Sequence, residues 1–497
     1  MYYRLNDGYV LRGWKGLPYA IESCTILNTN SGSRMLHYTI NGKPYFLNAE
    51  QYELVRSFDG ETPVDENKLT ALQKELLDRS LKENIISVSK QPLSKLSQFQ
   101  RYIYYPAMYV KEAVWSITGK CNYRCRHCIL SAPDGIHPEL PLEDCERIAD
   151  QLAECGIRKV VLTGGEPLIR KDILKIAEMI TDRDIEIKTI MTNGKFVTPE
   201  LLDGLERLGQ FPSFQISFDG LGHHDSMRGI SGAEEAALSA MRLLVSRNYA
   251  TAVSMCIDRE SASSIRDTIN FLVKLGIDSL GIAMPQKFGA WERNGKDCAL
   301  SLEEGMEIFL DYIPHYFEDG MPITINLGGA FKCNKHGSKY SIPFVRNFDS
   351  DEELQKHLIC SMARYNVYIS AEGQLMPCLG YSAAANAKEF PNILEIPMKE
   401  ALSESLAHDI MMCRMKEYFA RNEKCRSCEK RLQCAGGCRV NAMTGGKDNL
   451  SIDEDACRLL LGGYEQRIKE TADNAIKRFG ISENITGVYP RAVPSEG

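Results

Sequence analysis

Between residues 113 and 285 the chain alternates strand-like and helix-like stretches, and that alternation limits the possible folds more than any other feature. Strand patterns occupy 113–118, 158–163, 185–191, 213–218, 250–257 and 278–284, with helical patterns near 141–155, 171–181, 198–209, 231–247 and 261–275. This order builds parallel strands joined by crossover helices, an α/β class of fold. Six units are too few for a full barrel of about eight, so the sheet either closes part-way or stays open and doubly wound. In both cases functional loops follow the C-terminal ends of the strands.

The loop after the first strand reads Cys121-Asn-Tyr-Arg-Cys125-Arg-His-Cys128. Three thiolates so spaced can ligate three irons of a [4Fe–4S] cube, leaving the fourth iron without a ligand from the motif. Such an iron can bind a small molecule. Zinc is the competing reading, but it usually takes a fourth Cys or His at a characteristic spacing, and His127 adjoins Cys128 too closely to share one tetrahedral site. The other loops obey the same rule. Thr163-Gly164-Gly165-Glu166-Pro167 follows strand two, Met191-Thr192-Asn193-Gly194 strand three, and Ser217-Phe-Asp219-Gly220 ends strand four. Cys256 ends strand five and Met284 strand six.

Seventeen cysteines accompany an N-terminus, Met-Tyr-Tyr-Arg-Leu-Asn-Asp, that has no apolar run of the export type. The expectation is a reducing compartment, the cytoplasm, where cysteines serve metals or catalysis rather than disulfides. A net charge of −7 gives no support for nucleic-acid binding. No segment is apolar for long enough to suggest a membrane span.

Residues 1–95 read as a separate small unit. Strands are expected around Tyr9, Thr25 and Met35, a two-residue hairpin at Asn41-Gly42, a helix capped by Asn48, and further helix from Glu66 to Lys82. In size and order this resembles the winged-helix recognition domain of peptide-modifying enzymes, which implies binding of a precursor's leader by strand addition.

The set C-x3-C-x2-C, Gly-Gly-Glu-Pro and Ser-x-Asp-Gly resembles the radical S-adenosylmethionine superfamily. The resemblance implies a partial (β/α)6 barrel over residues 105–285, with Cys121, Cys125 and Cys128 holding a [4Fe–4S] cluster whose open iron chelates S-adenosylmethionine. It further implies that Gly164, Gly165 and Glu166 border the methionine amino group and that Ser217 and Asp219 contact ribose or carboxylate. His127 takes the family's aromatic position, and Asn193 and the stretch Gly281 to Met284 also border the cofactor. The run His224-Asp225-x-x-Arg228-Gly229 matches peptide-modifying members; Arg228 is either a carboxylate partner or a surface arginine. Reductive cleavage would release a 5′-deoxyadenosyl radical that removes a hydrogen from an inert C–H bond.

Beyond a less informative bridging region, 286–358, with helix from Leu300 to Phe317, the cysteines become dense: Cys360, Gly373-x4-Cys378, then Cys425-x2-Cys428-x5-Cys434-x3-Cys438, and Cys457. This order resembles the SPASM extension, here residues 359–460, and implies two auxiliary [4Fe–4S] clusters, three clusters in all. Cys360, Cys378 and Cys438 would serve the first, and Cys425, Cys428, Cys434 and Cys457 the second. The first lacks a fourth ligand; Cys333 is the nearest candidate, and a substrate thiolate the alternative. Cys24, Cys145, Cys155, Cys256, Cys298 and Cys413 read as ordinary buried residues. Residues 461–497 form a helix from Leu459 to Phe479 and a frayed tail at Pro490, Pro494, Ser495 and Gly497.

The whole resembles maturases of ribosomally made peptides. The leading expectation is an enzyme that forms intrapeptide thioethers, as sactipeptide synthases do. Its partners would be a precursor peptide with leader and cysteine-containing core, and an electron donor such as flavodoxin or ferredoxin. Carbon–carbon cross-linking, epimerisation, sulfatase activation and a non-enzymatic metal-stabilised scaffold are the alternatives. The sequence exposes no general base, and no catalytic side chain is assigned.

Overall fold

A computed structural model describes residues 1–28, 36–40, 44–97, 100–132, 137–295, 297–384, 386–444, 446–481 and 486–488. The alternating region folds as read: β1 (Glu112–Ser116), α1 (Leu142–Glu154), β2 (Lys159–Thr163), α2 (Ile173–Thr181), β3 (Glu186–Thr192), α3 (Pro199–Arg207) and β4 (Ser213–Ser217). It continues through α4 (His224–Arg228), α5 (Ala233–Ser246), β5 (Thr251–Cys256), α6 (Ile265–Leu275) and β6 (Ser279–Ala283). Helix α7 (Leu302–Glu318), capped reciprocally by Ser301 and Glu304, leads into β7 (Thr324–Leu327). Strand β8 (Asn366–Ile369) comes much later.

The strands lie in the order β8-β1-β2-β3-β4-β5-β6-β7, every neighbouring pair parallel. Two parallel strands thus flank the six read from the sequence. The sheet's ends, Leu375–Met376 beyond β8 and Thr486–Val488 at the far side, are not neighbours, so the barrel closes only part-way. Strand β2 is buried on both faces over Val160-Val161-Leu162, whereas β4 and β5 alternate buried and half-buried residues. Each helix covers them with one stripe: α1 buries Cys145, Ile148, Ala149 and Leu152, spaced as one helical face. Among the described residues no helix is long and apolar enough to cross a membrane.

Tyr2–Leu5, Asp59–Pro63 and Ile86–Ser89 form an antiparallel sheet in the N-terminal unit. It packs with helices Ala49–Val55, capped by Asn48, and Ala71–Lys82, capped by Thr70, around Leu5, Phe58, Leu76 and Ile86. A second sheet pairs Tyr9–Lys15 with Leu17–Asn28 and takes in Ile103–Met108, so it runs past residue 95. These two sheets do not by themselves establish the winged-helix assignment. The expected Asn41-Gly42 turn lies outside the described residues. Its flanks, Leu36–Ile40 and Tyr45–Phe46, each pair with successive parts of Leu17–Asn28. The expected C-terminal helix is two helices, Glu454–Leu461 and Tyr464–Arg478, broken at Gly462-Gly463. Tail residues 490–497 lie outside the described residues.

An aromatic seam joins the N-terminal unit to the barrel. The Trp14 ring lies 5.7 Å from Tyr105 and 4.8 Å, edge-on, from Tyr109, and Arg158 donates to the Tyr105 hydroxyl at 2.8 Å. Gly156, at the end of α1, meets this seam with φ +72; a Cβ there would stand 2.5 Å from the Tyr105 ring and 2.8 Å from Trp14 Nε1. Gly156→Ala should therefore cost about 1–3 kcal/mol through overpacking and left-handed strain, read as a lower urea midpoint.

Candidate functional site

Cys121, Cys125 and Cys128 stand beyond the C-terminal end of β1, on a loop strapped from two sides. On one side Gly165 N–H donates to the Thr118 carbonyl and Glu166 N–H to that of Lys120, both at 2.8 Å. A Cβ at Gly164 or Gly165 would come within 2.3 Å of those same oxygens, so only glycine permits the approach. On the other side the amides of Arg124 and Arg126 donate to the carbonyls of Arg228 and Met227 in α4, at 3.1 and 2.9 Å. Asn193 Nδ2 donates to Asn122 Oδ1 at 2.9 Å and ties the loop after β3 to the cysteine loop.

Glu166 is fully enclosed. Oε1 accepts from Leu168 N–H at 3.0 Å and from the Thr192 hydroxyl at 2.7 Å; Oε2 accepts from Asn193 N–H at 2.8 Å. Burial pushes its pKa up to about 7 against these three donors. Its carboxylate is thus engaged in joining the loops after β2 and β3.

Asp219 is equally enclosed, at 0% exposure. Its carboxylate pairs with both Nε (2.7 Å) and Nη2 (3.0 Å) of Arg228 and accepts the Cys256 amide at 3.0 Å. Its own amide donates to His224 Nδ1 at 2.9 Å. Burial opposes ionisation, but Arg228 and the neighbouring imidazoles hold the carboxyl well below the usual range. For Asp219 the expected contact is ribose or carboxylate; here its carboxylate is taken by Arg228 and the Cys256 amide. Arg228 is no surface arginine either; it is buried, and Nη1 reaches Cys125 Sγ at 3.7 Å.

The other expected cofactor residues fall around this mouth. His127 Nδ1 is buried without a hydrogen-bond partner, and burial, then Arg228, lowers the ring's pKa to about 4. Ser217 is half-buried at the end of β4. Met284 is half-buried and packs over Gly305 of α7, where an added Cβ would meet its sulfur at 2.0 Å. His127, Asp219 and Cys256 bring ligand atoms within 4.8 Å of one another. Arg228 already balances the Asp219 charge, so this trio does not call for a cation.

Burial pushes Cys121 up to about 12, and the thiols of Cys125 and Cys128 add to it. Around a single zinc, sulfurs sit about 3.8 Å apart. Among the described residues no three of the motif cysteines bring their sulfurs within 4.8 Å of one another. Neighbouring thiols that oppose one another's ionisation, spread more widely than one ion needs, fit a multi-iron cationic group.

The C-terminal cysteines fall into two groups. Cys378 is pushed up to about 12, first by burial and then by the thiols of Cys360 and Cys438. Cys434 is pushed up to about 12 by burial, Cys457 and Cys425, and Cys457 in turn is raised by burial, Cys425 and Cys428. Ala435, Gly436 and Gly437, with φ of +47, +79 and +73, reverse the chain between Cys434 and Cys438 and let near neighbours serve different groups. Cys333 belongs to neither neighbourhood. It is buried in strand Phe331–Cys333, and its thiol lies on the carbonyls of Asn334 (3.6 Å) and Lys339 (3.7 Å). Of the two alternatives for completing the first group, Cys333 is held in the core by its sheet partners Ile325 and Tyr340. Three neighbours escaped the sequence reading. Asp453 accepts the Cys438 amide at 2.7 Å while capping the helix that carries Cys457; the Tyr418 hydroxyl meets Cys425 Sγ at 3.2 Å; Asn122 sits inside the first motif. Only Asp453 had a signal, an aspartate at a helix start just before a motif cysteine.

Residues 115–272 match the model of the Radical SAM superfamily, and residues 360–429 match SPASM, an iron-sulfur cluster-binding domain. The chain carries a radical SAM domain and a SPASM domain. Domains of these kinds imply [4Fe–4S] clusters and S-adenosylmethionine. The chain is 25% identical over 361 residues to an AdoMet-dependent heme synthase of Methanosarcina barkeri, covering 69% of this chain and 95% of that protein. It is 26% identical over 350 residues to a PqqA peptide cyclase of Granulibacter bethesdensis, covering 69% and 86%. In fold it is similar to Streptococcus suis SuiB bound to precursor peptide SuiA, with TM-score 0.60 and 15% identity, over 92% of this chain and 100% of that one.

Two outcomes follow from the buried carboxylates. Asp219→Asn leaves the enclosed Arg228 charge uncompensated and should cost about 3–5 kcal/mol, measured by chemical denaturation. Glu166 holds its proton more tightly folded (about 7) than at its ordinary 4.5. Its contribution to stability is therefore full at low pH and is lost as pH rises through 7. The fall in denaturation midpoint between mildly acidic and mildly basic pH should be shallower in Glu166→Gln than in the parent.

Proposed function

We propose that this radical SAM protein matures a ribosomally synthesised peptide by forming intrapeptide thioethers from a cysteine sulfur to a carbon. The observation that carries the peptide substrate is the extent of the likeness to SuiB with its precursor peptide: coverage of 92% of this chain cannot be reached without part of residues 1–95. In this reading residues 1–95 bind the leader and residues 105–285 form the radical barrel. Residues 286–358 bridge to two auxiliary clusters within residues 359–460.

Cys121, Cys125 and Cys128 hold the first cluster, bordered for S-adenosylmethionine by His127, Gly164, Gly165, Asn193, Ser217 and Met284. When bound, cluster and S-adenosylmethionine together supply a carbon radical able to take hydrogen from an unreactive C–H bond. The chain's part is placement. Glu166 and Asn193 fix the loops around the mouth, and Asp219 holds Arg228 against Cys125.

The thioether choice rests on Cys360, Cys378 and Cys438. With Cys333 held in the sheet, three cysteines face one another and leave a coordination position for a peptide thiolate. The relative named PqqA peptide cyclase favours a second reading, a cross-link that leaves the peptide's cysteines free.

Mass spectrometry of a co-expressed precursor separates the readings. Thioether formation removes two hydrogens per bridge and blocks cysteine alkylation. The same mass loss with alkylatable cysteines supports the carbon–carbon link and sinks the thioether. Anaerobic reconstitution should give about twelve irons per chain and dithionite-dependent 5′-deoxyadenosine. Replacing Cys121, Cys125 and Cys128 together by Ala should abolish that product; cleavage retained in the variant overturns the assignment.

A further inference from the structure

A recess of about 220 Å3 lies where the N-terminal unit, the strand leading to the barrel and the cysteine-rich region meet. Four of its lining residues are basic, Lys15, Arg364, His408 and Arg414, and none is Asp or Glu, in a chain of net charge −7. Lys15, at the turn between Tyr9–Lys15 and Leu17–Asn28, is exposed and has no ion-pair partner among the described residues. Arg414 donates to the Lys356 carbonyl, a neutral acceptor that fixes the guanidinium without cancelling its charge. Arg364 donates to the Tyr109 carbonyl and lies 5.8 Å over the Tyr365 ring. The His408 ring already lies 3.4 Å from Asp409. Between the charges the wall is apolar, with Leu17, Leu358 and Met412.

We propose that this recess seats an acidic segment of the peptide substrate, with a carboxylate among Lys15, Arg364 and Arg414 and a neighbouring apolar side chain against Leu17, Leu358 and Met412. The proposal rests on the peptide-maturase reading and adds to it the chemistry of the peptide and its place of contact. Size argues for a segment rather than a free small molecule: sites that enclose a whole ligand measure roughly 300–1,000 Å3, whereas this one holds a side chain or two of something larger. Charge argues for acid, since a rim of one sign steers and selects its opposite. Position argues for the substrate. Lining residues Leu358 and Arg364 bracket Cys360 along the chain, so an occupant is held beside the three-cysteine group. The recess is also a joint product of both ends of the chain, Lys15 to Leu17 from one and Leu358 to Arg414 from the other. A peptide seated there contacts the N-terminal unit and the SPASM region together.

Fluorescence anisotropy with fluorescein-labelled acetyl-Leu-Glu-Leu-Glu-amide, on the full-length reconstituted protein, tests this without turnover. The probe should bind at low salt and weaken at high salt, and Lys15→Glu should weaken it roughly tenfold, with S-adenosylmethionine cleavage at the parent rate. Acetyl-Leu-Gln-Leu-Gln-amide should not compete. Equal binding of the neutral peptide, no effect of Lys15→Glu, or no binding of the probe each overturns the proposal. Displacement by free glutamate as effective as by unlabelled peptide also overturns it, in favour of a small-anion site. If the parent leaves every precursor's mass unchanged, the peptide-maturase reading fails; if cross-linking persists while the probe does not bind, only the recess assignment fails.

Discussion

The cysteine loop depends on a contact between two backbones. Gly164 and Gly165 lie so close to Thr118–Lys120 that any side chain would collide with a carbonyl oxygen, and the closeness lets two amides after β2 bond the segment that enters Cys121. From there the constraint spreads through Glu166, which passes it to the loop after β3, and returns to the cysteine loop through Asn193 and Asn122. Three consecutive strand ends become one ring of hydrogen bonds. The opposite flank is closed by α4, whose last carbonyls receive Arg124 and Arg126. A loop whose buried amides are satisfied on both sides presents its thiols in one arrangement, and chemistry that depends on placing a reactive carbon within contact distance of its target needs that.

The buried Asp219–Arg228 pair is expensive to assemble and is held because both partners are doubly used. Asp219 takes the guanidinium and the Cys256 amide, and Arg228 takes the carboxylate and lies against Cys125. Desolvating such a pair brings little net stability, whereas losing either partner strands a charge. Its value is therefore local: a fixed positive group beside Cys125.

Periodicity made the six central strands and five crossover helices legible, because long apolar-periodic segments carry their own address. Strands β7 and β8 were not, at four residues each, since membership in the sheet comes from their neighbours. Asn48 could be read as a cap, but the partners of Leu36–Ile40 could not, because register lies in tertiary contacts. The same limit explains the site. Motif spacing located Glu166 and Asp219 at the mouth and suggested ligand contacts for them. Their hydrogen-bond partners come from other loops: Thr192 and Asn193 for one, Arg228 and Cys256 for the other. Distance along the chain nominated Cys333 as a fourth ligand, whereas sheet pairing with Ile325 and Tyr340 holds it in the core.

The order of the seven SPASM-type cysteines, Cys360 to Cys457 without Cys413, is easier to understand from backbone geometry than from spacing. A helix or strand running from Cys434 to Cys438 would point both sulfurs by a fixed rule. Three successive left-handed residues remove that rule, and Gly437 is needed twice over, since a Cβ there would lie 2.5 Å from Asp453 Oδ2. That close approach brings the carboxylate onto the Cys438 amide, while its other oxygen caps the helix bearing Cys457. One aspartate thus fixes the backbone of a cysteine from each group. Burial raises its pKa against those same bonds. The two groups of thiols share this one positioning carboxylate.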